Sequence, residues 1–369
     1  MNRLYNFNAG HITENISSNP LGHSRHVFFP ENCIAGIEKD LINQYGEKVK
    51  VELYRIGKAF GFSYTTFIRN FTIDSKDRDL KLGLLFRFFE TMYATKIEFK
   101  PDWTQKRLEL EMDEFVVCRK NGLGQLFTEG SGAGLWASIC NDKTIEAEQV
   151  QCQGNGAQRC KMLLAPKAVL EKEGLLPKVY SDFKGDFINK QYIEFNKEKP
   201  VPISEKFSIQ SLLDYRFATY SGGNLSIRNQ RFFASEITLF LLLQEQILNV
   251  FGEEGEKTIF LAVERESIPI GAMFKEGEFS AVLRTLQRIL CATGFGFSVI
   301  QRTNEETSLY CVQVPCSPVY SQSKYPLLHG FISGFLKGGY SPAINVLTPT
   351  KHINDGMELK FKIEKSGQT

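Results

Sequence analysis

The chain has 369 residues but no long apolar run. Its longest, ITLFLLL at Ile237–Leu243, stops at Gln244 and Glu245, whereas a helix crossing a bilayer needs about 20 residues. No membrane span is expected. The amino-terminal stretch MNRLYNFNAGHITENISSNP lacks the apolar core of a signal peptide, so the expected compartment is cytoplasmic. In that compartment the sequons at Asn15, Asn70 and Asn224 carry no weight, and the eight cysteines are expected as free thiols or metal ligands rather than disulfides. Charge of one sign is not in excess. Lys plus Arg number 44 against 42 for Asp plus Glu, and no basic run occurs, which speaks against a nucleic-acid partner. Histidine is scarce: the five present form no pair at metal-ligand spacing, and His23 and His26 read as surface residues of a loop before the first helix. There is no G-x-S-x-G elbow and no serine or cysteine with an evident adjacent base, so no catalytic residue is assigned.

What the chain does have is phenylalanine, 30 residues of it, within a composition that is 42% apolar and 23% charged. That is the balance of a globular protein, and its aromatic content suits thick cores or pockets for apolar ligands. The length is enough for two domains, and the sequence repeats itself. HVFFPENCIAGIEKDLINQYG (His26–Gly46) and QRFFASEITLFLLLQEQILNVFG (Gln230–Gly252) both open on Phe-Phe, continue with apolar residues at helical spacing and stop at an aromatic-Gly pair. Each then enters an apolar stretch that reads as strand-like. Further on, FVVC ends at Cys118 and VQVPC at Cys316, and 14 residues beyond each a glycine, Gly132 or Gly330, opens a small-residue helix. This is a tandem duplication. The expected organisation is one domain over 1–170, a Lys-rich surface connection over 171–229 and a second, degenerate copy over 230–369.

Within each copy the period of the apolar residues gives an amphipathic helix (Ile34 to Gln44; Thr238 to Val250), a second helix in LKLGLLFRFFETMY or FSAVLRTLQRILCAT, and alternating strands in KRLELEMDEFVV or TSLYCVQV. The first copy closes on TIEAEQVQC, a glycine-rich turn and RCKMLLAP, a two-strand pattern; PAINVLTPT and MELKFKIEK stand in that place in the second. The expected class is α+β, with antiparallel sheets packed by helices. The turn QCQGNGAQRC holds Cys152 and Cys160. It has three readings: half of a metal site, a phosphate-cradling loop, or a hairpin turn in which Gly154 and Gly156 take positive φ. The extended flanks disfavour the phosphate loop, which needs a helix after it. Thiolates suit tetrahedral zinc, with Cys140 or a carboxylate as a further ligand.

The order RHVFFPENCIAGIEKDL, LYRIGKAFG, the Cys118–Gly134 spacing and the hairpin IEAEQVQCQGNGAQRCKM resembles the vinyl-4-reductase-type (hydrocarbon-binding) ligand-binding domain over about residues 20 to 165. That domain is similar in fold to the transport-protein-particle (TRAPP) subunits and the haem-nitric-oxide sensors. The second copy resembles it more loosely; it keeps a Gly294-Phe295-Gly296 turn and lacks the two-cysteine hairpin. The resemblance implies a small hydrophobic or aromatic ligand enclosed between helices and sheet. Phe89, Tyr93, Trp103 and Trp136 are the candidate contacts, Trp103 foremost. It also implies a structural zinc on Cys118, Cys152 and Cys160 with a glutamate. The family places that glutamate three residues before the first hairpin cysteine, where Gln149 stands, so the neighbouring Glu148 is the candidate carboxylate. The implied function is a ligand-binding or sensory protein acting through a partner protein, with the tandem copies mimicking the homodimer of single-domain relatives. A TRAPP-like scaffold and an enzyme or carrier for a vinyl-bearing tetrapyrrole are the alternatives.

Overall fold

The computed structural model describes residues 5–14, 25–67, 76–121, 126–175, 205–221, 224–275, 277–303, 306–315, 324–354 and 356–365. Asn15, His23, Asn70, Cys316 and residues 176–204 of the expected connection lie outside them.

The protein is α+β, built from two copies of one arrangement. Each copy opens on a short hairpin and a buried strand: β1 (Tyr5–Asn8), β2 (His11–Glu14) and β3 (Arg25–Pro30) in the first, β8 (Ala218–Ser221), β9 (Asn224–Ile227) and β10 (Gln230–Glu236) in the second. The upstream hairpin of the second copy falls in the stretch expected to be connection, and Leu225 and Ile227 in it are fully buried. His26, expected on a loop, is buried in β3.

β3 and β10 pair antiparallel and join the copies into one six-stranded sheet of order β1-β2-β3-β10-β9-β8. Phe29 lies opposite Phe233, Phe28 opposite Ala234 and Pro30 opposite Phe232. Matching residues of the two Phe-Phe pairs therefore meet about an axis through Phe29 and Phe233. This is the self-complementary contact of a two-fold dimer, made within one chain. A second on-axis contact stacks Tyr45 on Phe251, the two aromatic-Gly stops, with ring centroids 4.3 Å apart.

The helices repeat as well. α1 (Glu31–Tyr45) ends at Gly46, which has φ 60° and ψ −138°, and α2 (Glu47–Phe67) follows at once. In the second copy the same kink falls at Gly252, with φ 64° and ψ −157°, inside α8 (Ile237–Ala272). Glycine takes this backbone region without the Cβ clash of other residues. The stretch after each glycine, read as a strand, is helix. In VKVELYRIGKAF the alternation is real, but Val49, Leu53, Ile56 and Phe60 also fall at spacings of four, three and four, and all four are buried.

The copies continue with α3 (Arg78–Tyr93) or α9 (Phe279–Ala292), then two strands, β4 (Lys96–Asp102) and β5 (Arg107–Asp113) or β11 (Phe297–Arg302) and β12 (Thr307–Val312). A short α4 (Cys118–Asn121) follows β5, where the alternation of FVVC suggested more strand. The small-residue helix is α5 (Leu126–Ile139) or α10 (Pro326–Gly339). The first sheet closes with β6 (Ile145–Gln151) and β7 (Cys160–Pro166) in the order β4-β5-β7-β6. The second closes with β13 (Ile344–Val346) and β15 (Gly356–Lys365) in the matching order β11-β12-β15-β13, with β14 (Thr350–Asn354) paired to β15. Between the copies lie the short α6 (Lys167–Lys172) and α7 (Ile209–Asp214).

α5 packs on α2, and α10 on the second half of α8, so closely that a Cβ on Gly134 would sit 2.0 Å from the Lys58 carbonyl oxygen. One on Gly334 would sit 2.1 Å from that of Glu264. These contacts equate Gly130 and Gly134 with Gly330 and Gly334, as do the two 14-residue helices. The sequence register that set Gly132 against Gly330 is therefore two residues out. Gly134→Ala is expected to cost about 3 kcal/mol, because the obstacle is backbone rather than a side chain that can rotate away. Chemical denaturation of wild type and variant measures it.

Candidate functional site

α2, α3, α5 and the inner face of the first sheet enclose a cavity of about 120 Å³. α2 contributes Phe60, Gly61 and Tyr64, and α3 contributes Phe86, Phe89 and Tyr93. The floor is Ile97, Leu110, Met112 and Met162 from β4, β5 and β7. α5 supplies Phe127, Thr128, Ser131, Gly132 and Leu135, and the turn after β5 supplies Phe115, Val116 and Val117. Two residues come from the other copy, Phe233 of β10 and Leu239 of α8. The lining is aromatic and aliphatic, with Tyr64, Tyr93, Thr128 and Ser131 as its hydroxyl-bearing members. Ser131 donates back to the Phe127 carbonyl at 2.7 Å, as helical serines do.

Of the four candidate contacts, Phe89 and Tyr93 line this cavity, while Trp103 and Trp136 do not. The two indoles pack on each other, with centroids 5.0 Å apart, at the β4–β5 turn. Trp136 is fully buried and donates its Nε1 hydrogen to the Lys106 carbonyl at 2.7 Å. Trp103 donates to Asp79 at 2.7 Å and lies under the Arg78 guanidinium, which fastens the start of α3 to the sheet.

The second copy carries bulk where the first has space. At matching positions of the small-residue helix, Thr128, Ser131 and Gly132 give way to Leu328, Phe331 and Ile332, all buried. Phe29, the symmetry mate of Phe233, sits among Phe240, Phe295 and Phe331 with centroids 5.3, 5.9 and 6.4 Å away. Each copy thus sends one phenylalanine into its neighbour, into packed rings on one side and against a cavity on the other. An alignment of α5 with α10 could have signalled this, had the correct register been known.

The cysteine hairpin lies below the cavity, at the end of the sheet. β6 and β7 pair antiparallel with a register shift between Gln149 and Gln151, and the link between them is a short 3₁₀ turn, Gln153–Asn155, closed by Gly156 at φ 89°. Gly156 takes the positive φ that was expected; Gly154 lies inside the turn and is not among the positive-φ residues. A strand follows, not a helix, so the phosphate-loop reading is excluded.

The Sγ atoms of Cys118, Cys152 and Cys160 lie within 4.8 Å of one another, all buried, in a group that could hold a metal ion. Cys118 Sγ is 2.9 Å from that of Cys160 and 3.4 Å from that of Cys152. Hydrogen bonding to both neighbours, together with burial, pushes the Cys118 thiol up. The bond from Cys118 pulls Cys152 down to about 6, helped by the backbone amides of Gly154 and Asn155. Cys160 is lowered chiefly by the same Cys118 bond, and the Gln153 amide donates to it at 3.4 Å. The cluster is thus set to carry thiolate charge.

Neither Glu148 nor Cys140 belongs to this group. Glu148 lies one residue along β6 and therefore points to the opposite face, while Cys140 ends α5 near Lys106 and Asp142. Gln149 takes the place instead. Its side-chain amide donates to Cys118 Sγ at 2.8 Å, and its Oε1 is buried without a hydrogen-bond partner among the described residues. Amide nitrogen and oxygen exchange by a half-turn of the terminal torsion, so Gln149 can present oxygen to the sulfurs.

No family model matches the sequence, and no curated protein matches it. Among solved structures, the chain is similar to the phenol-responsive sensory domain of the transcription activator PoxR, determined with phenol. The two share 16% identity at a TM-score of 0.35, over 45% of this chain and 87% of that one.

Proposed function

We propose that the first copy binds a small apolar or aromatic molecule, about the size of one ring, and that the protein works as a ligand-binding sensor through a partner protein. The observation that carries this is the asymmetry of the duplication: the first copy has a cavity of about 120 Å³ lined by Thr128, Ser131 and Gly132, where its twin carries the bulkier Leu328, Phe331 and Ile332. A dry apolar cavity of roughly 150 Å³ holds benzene, so the size suits a single ring. A tetrapyrrole needs far more room, since sites for drug-sized ligands run to about 300–1,000 Å³. A scaffold would have no need of the space. Phe89 and Tyr93 are the proposed ligand contacts.

The thiol cluster is proposed as a structural zinc site. Three thiolates about 2.3 Å from one zinc ion sit roughly 3.8 Å apart, within the span the three sulfurs already occupy. Cys118, Cys152 and Cys160 would hold the ion, with Gln149 Oε1 in the place the family gives to glutamate. Zinc there would cross-link the hairpin to α4 and supply folding energy rather than chemistry.

The ligand reading is tested by making the first copy resemble the second. The double variant Thr128→Leu, Ser131→Phe is expected to weaken binding of toluene, a one-ring probe, at least tenfold while leaving the fold intact. Calorimetric titration reads the affinity, and circular dichroism reads the fold. Equal toluene affinity in wild type and variant would sink the reading.

A further inference from the structure

The turn Glu114–Arg119 belongs to both the cavity and the thiol cluster, as does the start of β7, where Cys160 and Met162 lie two residues apart. Phe115, Val116 and Val117 line the cavity, and the next residue is Cys118. Its backbone is strained. Glu114 has φ 52° and Val117 φ 64°, and a β-branched residue at positive φ is an outlier that persists only where its surroundings enforce it.

The surroundings here are specific. The buried carboxylate of Glu31 accepts the Val117 amide hydrogen at 2.9 Å. Arg119 bridges Glu31 and Glu114 at 2.9 and 2.7 Å. The Val116 amide donates to the carbonyl of Tyr93, itself a cavity residue, at 2.7 Å. The Glu114 amide donates to Gln153 of the cysteine turn at 2.8 Å. From the second copy, Arg231 donates to the Glu114 carbonyl at 2.7 Å. A comparable contact runs the other way: Arg25 of the first copy, from a different position on its strand, donates to the carbonyl of Gln313, the left-handed residue after β12.

We infer that Val117 is a positioning residue that couples the two sites: holding Cys118 in the metal cluster holds the Val117 side chain against the ligand, and the reverse. The inference rests on the ligand and zinc readings given above. Metal pins Cys118 and so maintains the left-handed turn. Without it the turn relaxes toward ordinary backbone angles and the cavity loses that wall. Ligand and metal therefore favour one conformation of the segment, and each raises the affinity of the other by the same factor.

The test uses the full chain, zinc and toluene. Toluene is expected to bind the zinc-loaded protein on the order of tenfold more tightly than the chelator-stripped protein, and toluene is expected to raise zinc affinity equally. In Val117→Gly, where positive φ costs nothing, the ratio should fall toward one. Val117→Ala keeps the steric preference of an L-residue and should retain most of it. Hydrogen exchange at Phe115–Val117 in zinc-loaded protein adds a readout that needs no stripped sample: toluene should slow it in wild type and not in Val117→Gly. A ratio of one in wild type with both species bound, or an unchanged ratio in Val117→Gly, overturns the coupling and leaves both binding readings standing. Failure of toluene to bind the zinc-loaded protein, or of zinc to bind at all, overturns that reading and the coupling with it.

Discussion

Cys160→Ser is expected to yield protein lacking the one equivalent of zinc proposed for wild type, with stability lowered by about 3 kcal/mol or more. The expectation follows from the cluster being buried and short of ligands. Cys118, Cys152 and Cys160 are its three thiols, and Gln149 offers a neutral oxygen at best. Serine is a poor replacement for a thiolate, and two sulfurs with an amide do not complete a structural zinc site. Structural zinc contributes about 10–16 kcal/mol of apparent binding energy in small peptides that fold around it. Here the sheet and helices form a core of their own, so only the part spent on fixing the hairpin to α4 is at stake. Metal analysis and native mass of protein purified under reducing, chelator-free conditions decide it. Wild type without zinc would end the metal reading, and Cys160→Ser should then be a mild exchange of one small buried group for another.

Lys58→Met is expected to destabilise the protein by about 3–5 kcal/mol at neutral pH, the usual cost of leaving one member of a buried pair alone. Lys58 is fully buried and donates to Glu146 at 2.7 Å, joining α2 to β6. Tyr54 donates to the other carboxylate oxygen. Burial lowers the Lys58 pKa and raises that of Glu146, so both charges are held against desolvation by each other. The sign of the pH dependence follows. A carboxyl whose folded pKa is raised favours the folded state at pH below its unfolded pKa, and that contribution is lost as pH rises through the folded value. Removing Lys58 raises the Glu146 pKa further. The penalty of Lys58→Met should therefore be largest at neutral pH and shrink as pH falls toward the carboxylate range. Adding Glu146→Gln removes the stranded charge, keeps an acceptor for Tyr54, and should recover most of the loss. Denaturant titrations of the two single variants and the double variant across pH measure the coupling. A penalty for Lys58→Met that is flat with pH, or unrelieved in the double variant, would show that packing of the lysine stem dominates instead.

Several of these features could be read from the sequence because they depend on neighbours in the chain. The helices α3 and α9 follow the period of their apolar residues. The cysteine hairpin follows its alternating flanks and its glycines. The kinks at Gly46 and Gly252 follow an aromatic-Gly stop present in both copies. α2 was misread because Val49, Val51 and Leu53 satisfy a period of two as well as a helical one over so short a stretch. Packing decided: the helix buries Leu53, Ile56 and Phe60, sets Gly57 and Gly61 against α5, and offers Phe60 to the cavity.

The side chains that matter most to the site were hidden for a different reason. Glu31, Lys58 and Glu146 look like surface charges in a linear sequence, since burial of a charge depends on a partner brought from far along the chain. Trp103 is a candidate contact through the family resemblance; in the fold its indole hydrogen goes to Asp79 and its ring lies under Arg78, partners that a linear sequence does not show.

By itself the sequence determined the class of the fold, its duplication and the two-cysteine hairpin, all of which follow from local periodicity and from composition, while Cys118 joined that pair through the family resemblance. The tertiary structure alone decided that β3 and β10 pair about Phe29 and Phe233, that the first copy has a cavity where the second carries the bulkier Leu328, Phe331 and Ile332, and that Gln149 rather than Glu148 faces the sulfurs. Each of these turns on which face a residue presents. Along a strand the face alternates with every residue, and across a chain it is set by the element that packs against it.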